Sequence, residues 1–337
     1  MILVSKGKIA FYWAGSCGGC EVAIVDLDEM LFDVLENFDI VFWPCAMDAK
    51  YSDVEAMDNS EIDVCFFNGC IRNDENKEIA EMLRAKSKIM IAFGSCSHLG
   101  GIPGLGNLST KDETLDYVYK RSKSVVNDEG TIPQNSTDEH GNFIGIPELR
   151  EYVKALDDVV EVDYYIPGCP PPVDVIKTAL LALISGEVPP RKEVLAPDRT
   201  VCHECKKEKR DMAVKSIKRI YQLDDLDPKR CLLEQGILCM GPATREGCGA
   251  ACLTANMPCT GCMGPPSMSE LSENCEQGAR MVSAITSMTD VADEKNSKEE
   301  EIKTALDEIR DPVGVMYMYS MPKSILRRRR KDVSDRD

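Results

Sequence analysis

Apolar and polar positions come in blocks along the first half of the chain. Residues 8–14 (KIAFYWA), 39–43 (DIVFW), 63–69 (DVCFFNG), 88–93 (KIMIAF) and 162–166 (VDYYI) are short, near-continuous apolar runs. Runs of that length predict strands buried on both faces. Between them the period changes. In residues 21–38, Val22, Val25, Leu27, Met30, Leu31, Val34 and Leu35 fall on one helical stripe, which predicts a single amphipathic helix. Asn73–Ser87 predicts a second helix, acidic in its first turn and basic in its last, the polarity that the helix dipole favours. Val173–Ser185, closed by Gly186, predicts a third. Strands alternating with helices predict a parallel sheet with helices on both faces.

The rhythm breaks twice. Residues 103–147 are rich in Gly and polar residues around DETLDYVYKRSKSVV, which predicts a long insertion with one helix. Residues 187–200 hold three prolines and predict a linker. Beyond it the apolar blocks give way to cysteines. A charged, helical stretch is expected from Cys205 to Asp227, a helix carrying a non-ligating Cys275 over Ser269–Met288, and a charged helix over Asp293–Asp311. Ile302, Leu306 and Ile309 give that last helix a narrow stripe suited to light docking. Arg327–Lys331 reads as a solvated basic tail. The expected division is 1–190 for the sheet domain, 191–290 for the cysteine-rich domain and 291–337 for an exposed or docking tail.

Composition narrows the class. Hydrophobic residues make up 43% of the chain, as in an ordinary soluble protein, and no apolar run approaches the ~20 residues of a membrane span. The N-terminus lacks the pattern of a secretory signal, which points to the cytoplasm. A net charge of −17 speaks against nucleic acid as a partner, because phosphate contacts need a basic face.

Cysteine usage changes the picture most. There are sixteen cysteines and only three histidines, His98, His140 and His203. Cytosolic thiols are kept reduced and the chain is far from small, so a disulfide scaffold is disfavoured and thiolate-bound metal is favoured. Six cysteines fall within Cys231–Cys262, threaded through Gly and Pro with no amphipathic period. Such a segment buries too little apolar surface to hold itself folded, and bound metal supplies what is missing. Its cysteines, with Cys202 and Cys205, divide into two sets of four: Cys202, Cys205, Cys231 and Cys239; and Cys248, Cys252, Cys259 and Cys262.

A further set lies upstream. Three of the predicted strands run into GSCGGC (15–20), GSC (94–96) and PGCPP (167–171), which bring Cys17, Cys20, Cys96 and Cys169 to one sheet edge. Ligands of open parallel sheets gather outside the carboxyl ends of the strands. Cys45 and Cys70 also follow strands, and Cys70 reads as a spare or competing ligand; Cys65 sits mid-strand and reads as core. His98 and His140 read as surface or turn residues, and His203 as exposed rather than as a substitute ligand. Glu21 is expected to stabilise a helix start. All-sulfur sets suit zinc or iron–sulfur clusters. Three sets in one chain, with backbone N–H groups from Gly-rich loops available to sulfur, favour iron–sulfur and an electron path. A zinc-stapled structural protein remains the alternative at this point.

The motifs CGGCE (17–21), GSC (94–96), PGCPP (167–171) and the downstream cysteine array resemble the electron-transferring small subunit of [NiFe] hydrogenases over about residues 8–265. The resemblance implies a flavodoxin-like N-terminal domain, with Cys17, Cys20, Cys96 and Cys169 holding a proximal cluster. It implies a loop-rich domain with a few helices, where Cys248, Cys252, Cys259 and Cys262 hold a medial cluster and Cys202, Cys205, Cys231 and Cys239 a distal one. Cys252 stands where many relatives have proline, which implies four irons in the medial centre and three [4Fe-4S] clusters in all. GPATREGCGAACLTANMPCTGC resembles the cytoplasmic archaeal branch that reduces viologens but not deazaflavin, rather than a deazaflavin- or NAD(P)-linked branch. That branch implies a large subunit that oxidises H2, a [2Fe-2S] delta-type subunit and heterodisulfide reductase as partners, with no catalytic residue in this chain. A quinone-reductase-type relative is disfavoured by CGGC and by the eight downstream cysteines.

Overall fold

The computed structural model describes residues 6–210, 214, 216–223, 225–267, 276–288, 303 and 306–327. In chain order, the first half runs β1 (Gly7–Trp13), α1 (Gly19–Val25), α2 (Met30–Asn37), β2 (Phe38–Phe42), α3 (Tyr51–Glu55), β3 (Ile62–Asn68), β4 (Ile71–Asn73), α4 (Asp74–Lys86), β5 (Ser87–Phe93) and α5 (Ser95–Leu99). Then follow α6 (Lys111–Asp116), β6 (Ser136–Thr137), β7 (Phe143–Ile144), β8 (Leu149–Lys154), β9 (Tyr164–Ile166), α7 (Val173–Ser185) and β10 (Glu193–Val194). The remainder is mostly loop and short 3-10 turns, with α8 (Ala251–Thr254), α9 (Gln277–Met288) and α10 (Pro312–Met316).

Six strands form one sheet in the order β10-β9-β5-β3-β1-β2, and every pair is parallel. Period-two alternation assigns the two faces. Ile9, Phe11, Val64, Phe66, Ile91, Phe93, Tyr164 and Ile166 pack with α1, α2 and α7 through Ile24, Val34, Ile176 and Leu180. Their neighbours Ala10, Tyr12, Cys65, Phe67, Met90 and Ala92 face the other way, onto Ile79, Ala80 and Leu83 of α4 and onto Leu156 and Val162. α4 begins on Asn73, whose side chain accepts from Asn76 N–H at 2.8 Å, and carries Asp74 and Glu75 in its first turn.

The single helix expected over 21–38 is two helices. Asp26, Asp28 and Glu29 would crowd one turn with like charge, and Asp28 takes a left-handed conformation (φ 53°) at the break. The expected linker is partly sheet: Glu193 and Val194 pair with Tyr164 and Tyr165 as edge strand β10. The charged stretch before Asp227 forms no α-helix among its described residues. Its backbone is spent on bridges instead: Glu208 N–H donates to Lys229 O (2.7 Å), Cys231 N–H to Glu208 O (2.8 Å), and Lys218 N–H to Gly236 O (2.6 Å). Those bridges draw Cys231 towards Cys205.

A second core underlies the cysteine-rich part. It holds Val201, Leu232, Leu233, Met240, Ala243, Leu253, Met281, Ile285 and Met316. Ile309 is buried in it, and Leu306 packs against it. Ile302, Cys275 and most of the expected helix over Asp293–Asp311 lie outside the described residues, as does the basic run beyond Arg327.

Candidate functional site

Because the strands are parallel, the segments after β1, β3, β5 and β9 leave from one rim of the sheet. Their backbones are tied to one another there. Gly15 and Cys70 exchange both N–H···O bonds (3.1 and 3.0 Å), Gly94 N–H donates to Ile166 O (2.8 Å), and Ser95 N–H to Gly168 O (2.8 Å). The result brings Cys17, Cys20, Cys96 and Cys169 into one group, near enough for each of the others to raise the Cys20 thiol. Gly94 makes room for it: its φ is 85°, and a Cβ there would stand 2.4 Å from Cys20 Sγ.

The thiols further along continue from this group. The Cys262 thiol receives the Cys169 backbone N–H, and its neighbours include Cys248, Cys169 and Cys252. Cys248, Cys252, Cys259 and Cys262 together line a cavity of about 330 Å³, closed on one side by Pro170, Pro171 and Val173. Cys259 in turn lies beside Cys239, with its N–H 3.4 Å from Cys239 Sγ. Cys239 is grouped with Cys202, Cys205 and Cys231. The twelve thiols therefore form three neighbouring groups, linked first by Cys169–Cys262 and then by Cys259–Cys239.

Burial is the main influence on the thiols whose acidity it changes. It pushes Cys96 and Cys262 up to about 12 and Cys202 to about 11, with neighbouring thiols adding to the rise. Cys20 and Cys259 are raised further for the same reasons. Thiols raised in this way stay protonated until a metal binds; ligation makes them thiolates and releases their protons. Backbone amides already point at several sulfurs: Ile102 at Cys96, Gly241 at Cys239, Ala250 and Ala251 at Cys248, and Gly261 at Cys259. Such donors are the usual partners of cluster sulfur. Among the described residues, no three His, Cys, Asp or Glu side chains close round a point suited to a single ion. The donor chemistry, the cavity and the amides fit a larger thiolate-bound group at these positions.

Two carboxylates act at the site in ways that their neighbours in sequence do not signal. Glu21 is buried and does more than start a helix. It takes hydrogen bonds from Trp43 Nε1 and Asn68 Nδ2, and from Cys45 Sγ at 3.3 Å. Burial raises its pKa, and those three donors oppose the rise. Asn68 also accepts from Ser16 Oγ at 2.6 Å, so Glu21 ties the CGGC turn to the ends of β2 and β3. Glu204 accepts from Gly247 N–H (2.9 Å) and Ala250 N–H (3.2 Å) and so shapes the loop that carries Cys248. Its one local signal is its place between Cys202 and Cys205.

The spare cysteines separate. Cys65 is fully buried in the sheet core. Cys70 is buried against the first group: its Sγ donates to Gly15 O at 3.0 Å, and it is a charge neighbour of Cys96. His140 lies in an exposed turn whose N–H groups bond Asp138. His203 is exposed and turned to Thr200 O, 3.2 Å from its Nδ1. His98 is half-buried: its ring is tilted against that of Tyr165 with centroids 4.7 Å apart, and its Nδ1 is shielded from solvent. Burial first, then Arg245 and Lys323, hold its pKa down at about 3.

The family model described as NADH ubiquinone oxidoreductase, 20 Kd subunit, matches residues 17–183. A subunit of the F420-non-reducing hydrogenase of Methanothermobacter thermautotrophicus is 39% identical over 326 residues, covering 96% of this chain and 97% of its own. The iron-sulfur subunit of the F420-non-reducing hydrogenase of Archaeoglobus profundus is 38% identical over 330 residues, covering 96% and 98%. Among solved structures, a chain of an NAD+-reducing [NiFe]-hydrogenase in the H2-reduced state is 28% identical, with a TM-score of 0.47 over 54% of this chain and 93% of its own. Identity at this level along nearly the full length of both archaeal relatives places the chain: it belongs to the family of F420-non-reducing hydrogenase iron-sulfur subunits, and is a non-catalytic small subunit of a hydrogenase.

Proposed function

We propose that this chain carries electrons from H2, oxidised in a large subunit, through three [4Fe-4S] centres towards a [2Fe-2S] delta-type subunit and heterodisulfide reductase in the cytoplasm. The observation that carries the reading is the succession of three neighbouring thiol groups, from the sheet rim to the lysine-rich stretch after Cys205. Cys17, Cys20, Cys96 and Cys169 hold the proximal centre and face the large subunit. Cys248, Cys252, Cys259 and Cys262 hold the medial one, in the cavity they line. Cys202, Cys205, Cys231 and Cys239 hold the distal one, where exposed Lys206 and Lys209 mark an exit for an acidic protein acceptor. When bound, the clusters supply reversible one-electron carriers whose potentials depend on hydrogen bonding and burial. The chain's part is to hold them in line, present N–H donors to sulfur and keep water out. The division at about residues 190 and 290 belongs to the same reading. Among the described residues, no helix is long and apolar enough to cross a membrane.

The test is anaerobic isolation with iron and sulfide analysis. About twelve irons and as many sulfides per chain are expected from three four-iron centres. A correctly folded chain that is pale and iron-free, or holds zinc instead, would overturn the reading.

A further inference from the structure

The segment after Asp311 has no part in the function proposed above, yet it is folded into the middle of the molecule. α10 opens on Asp311, whose carboxylate accepts Gly314 N–H at 2.9 Å. Beyond it the chain bonds in two directions at once. Towards the cysteine-rich part, Tyr317 OH donates to Glu276 at 3.0 Å, Ser320 Oγ lies 3.4 Å from Gln277 Oε1, and the Tyr319 hydroxyl lies 3.2 Å from Thr260 Oγ1. Towards the sheet, Tyr319 O accepts Gly101 N–H at 3.1 Å, and Asn107 Nδ2 donates to Arg327 O at 3.0 Å. Lys323 pairs with Asp157 (2.8 Å) and Asp158 (2.9 Å). Pro322 closes over Gly100, where any Cβ would come within 2.2 Å of its ring.

The two directions meet different thiol groups. Gly100 and Gly101 belong to the turn whose Ile102 amide points at Cys96. Thr260 lies in the loop between Cys259 and Cys262. Tyr319 is only 8% exposed and is near enough to Cys262, Cys169 and Cys252 to feel their charge. Its phenol therefore stands where the first group meets the second.

We propose that Tyr319 is a positioning residue for electron passage between the first and second centres, and that residues 317–327 are the strap that fixes their separation and excludes water between them. The proposal rests on the cluster assignment above. The Tyr319–Thr260 contact holds the Cys259–Cys262 loop, while the Gly101 and Pro322 contacts hold the Cys96 turn. A rigid body between two carriers sets how far the electron must travel. A hydroxyl beside their thiolates tunes the nearer one, since hydrogen bonding and solvent access are what the protein controls at such sites.

The experiment uses the anaerobically purified hydrogenase complex with Tyr319→Phe, Tyr319→Ala and Lys323→Met in this subunit. It reads iron content, the midpoint potential of each centre by EPR-monitored titration, and the magnetic coupling between the first two. Tyr319→Phe keeps full iron, the wild-type coupling and the first centre's potential, and shifts the second centre's potential. Tyr319→Ala weakens the coupling and slows H2-driven reduction of the distal centre at least tenfold, and the Phe variant largely restores that rate. Lys323→Met acts on the strap at a distance from Cys262, so it weakens the coupling without moving the second potential, and it keeps the test alive if the Ala variant fails to fold. Unchanged potentials and coupling in all three variants would overturn the proposal. So would loss of iron in Tyr319→Phe, which would make the residue merely structural. An iron-free wild type would instead sink the cluster assignment, a separate outcome read before any variant is made.

Discussion

The sheet and the cysteine-rich part solve the problem of staying folded by different means. Each central strand turns large side chains to both faces: Phe11 and Phe66 one way, Phe67 and Met90 the other, all nearly inaccessible. Helices α4 and α7 cover those faces, and the apolar area they remove from water is what stabilises the layer. Residues 229–263 have no regular element longer than the four residues of α8. They have a small core of their own, yet thiols line one of their cavities and several of their amides aim at sulfur. Hydrophobic burial holds the first region with or without metal. On the reading proposed above the second relies on bound metal for much of its order, and the sequence carries this as a swap of apolar periodicity for cysteine spacing.

The largest test of that contrast is removal of iron from the intact complex with a chelator and reductant. Hydrogen exchange should rise sharply over residues 229–263 while β1, β3 and β5 stay protected; equal protection of both regions would break the comparison. Next in size is Phe66→Ala in the sheet, expected to cost roughly 3–5 kcal/mol in denaturant unfolding. Iron per folded chain should not change, and iron loss in step with stability would mean that the regions are not independent. Cys252→Pro is milder. Cys252 is in the first turn of α8, where proline is tolerated, so the variant should lose about one iron and leave the others. Unchanged iron would remove Cys252 from the ligand set. Smallest is Cys45→Ser, which keeps a donor to Glu21. Its stability should stay within about 0.5 kcal/mol and its iron content should be unaltered.

The parts of the fold legible in the sequence are those with a local cause. Strands β1, β3 and β5 announce themselves as apolar runs, and α4 and α7 carry their own start or stop signals. β10 does not: Glu193 and Val194 lie in a proline-rich stretch, and only pairing with β9 makes them a strand. The break between α1 and α2 is hidden because the apolar stripe runs through it while the acids on the other face do not tolerate it. In the candidate site, Gly and Pro beside cysteine mark which thiols gather. Glu21, Glu204 and Tyr319 are opaque for one shared reason. Each acts through partners distant in sequence, as when Glu204 meets Gly247 and Ala250 or Tyr319 meets Thr260, and no pattern of neighbours encodes such a meeting.

The all-parallel sheet also bears on biosynthesis. Its downstream strand ends share a rim, so Cys17 and Cys20 leave the ribosome long before β9 can deliver Cys169 beside them. Iron offered early would find half a binding set, open to solvent and to mispairing. Cys248 to Cys262, by contrast, emerge within a single short piece of nascent chain. The first set therefore exists only once β1, β5 and β9 lie in one sheet, whereas the thiols from Cys248 to Cys262 need no strand pairing to be brought near one another.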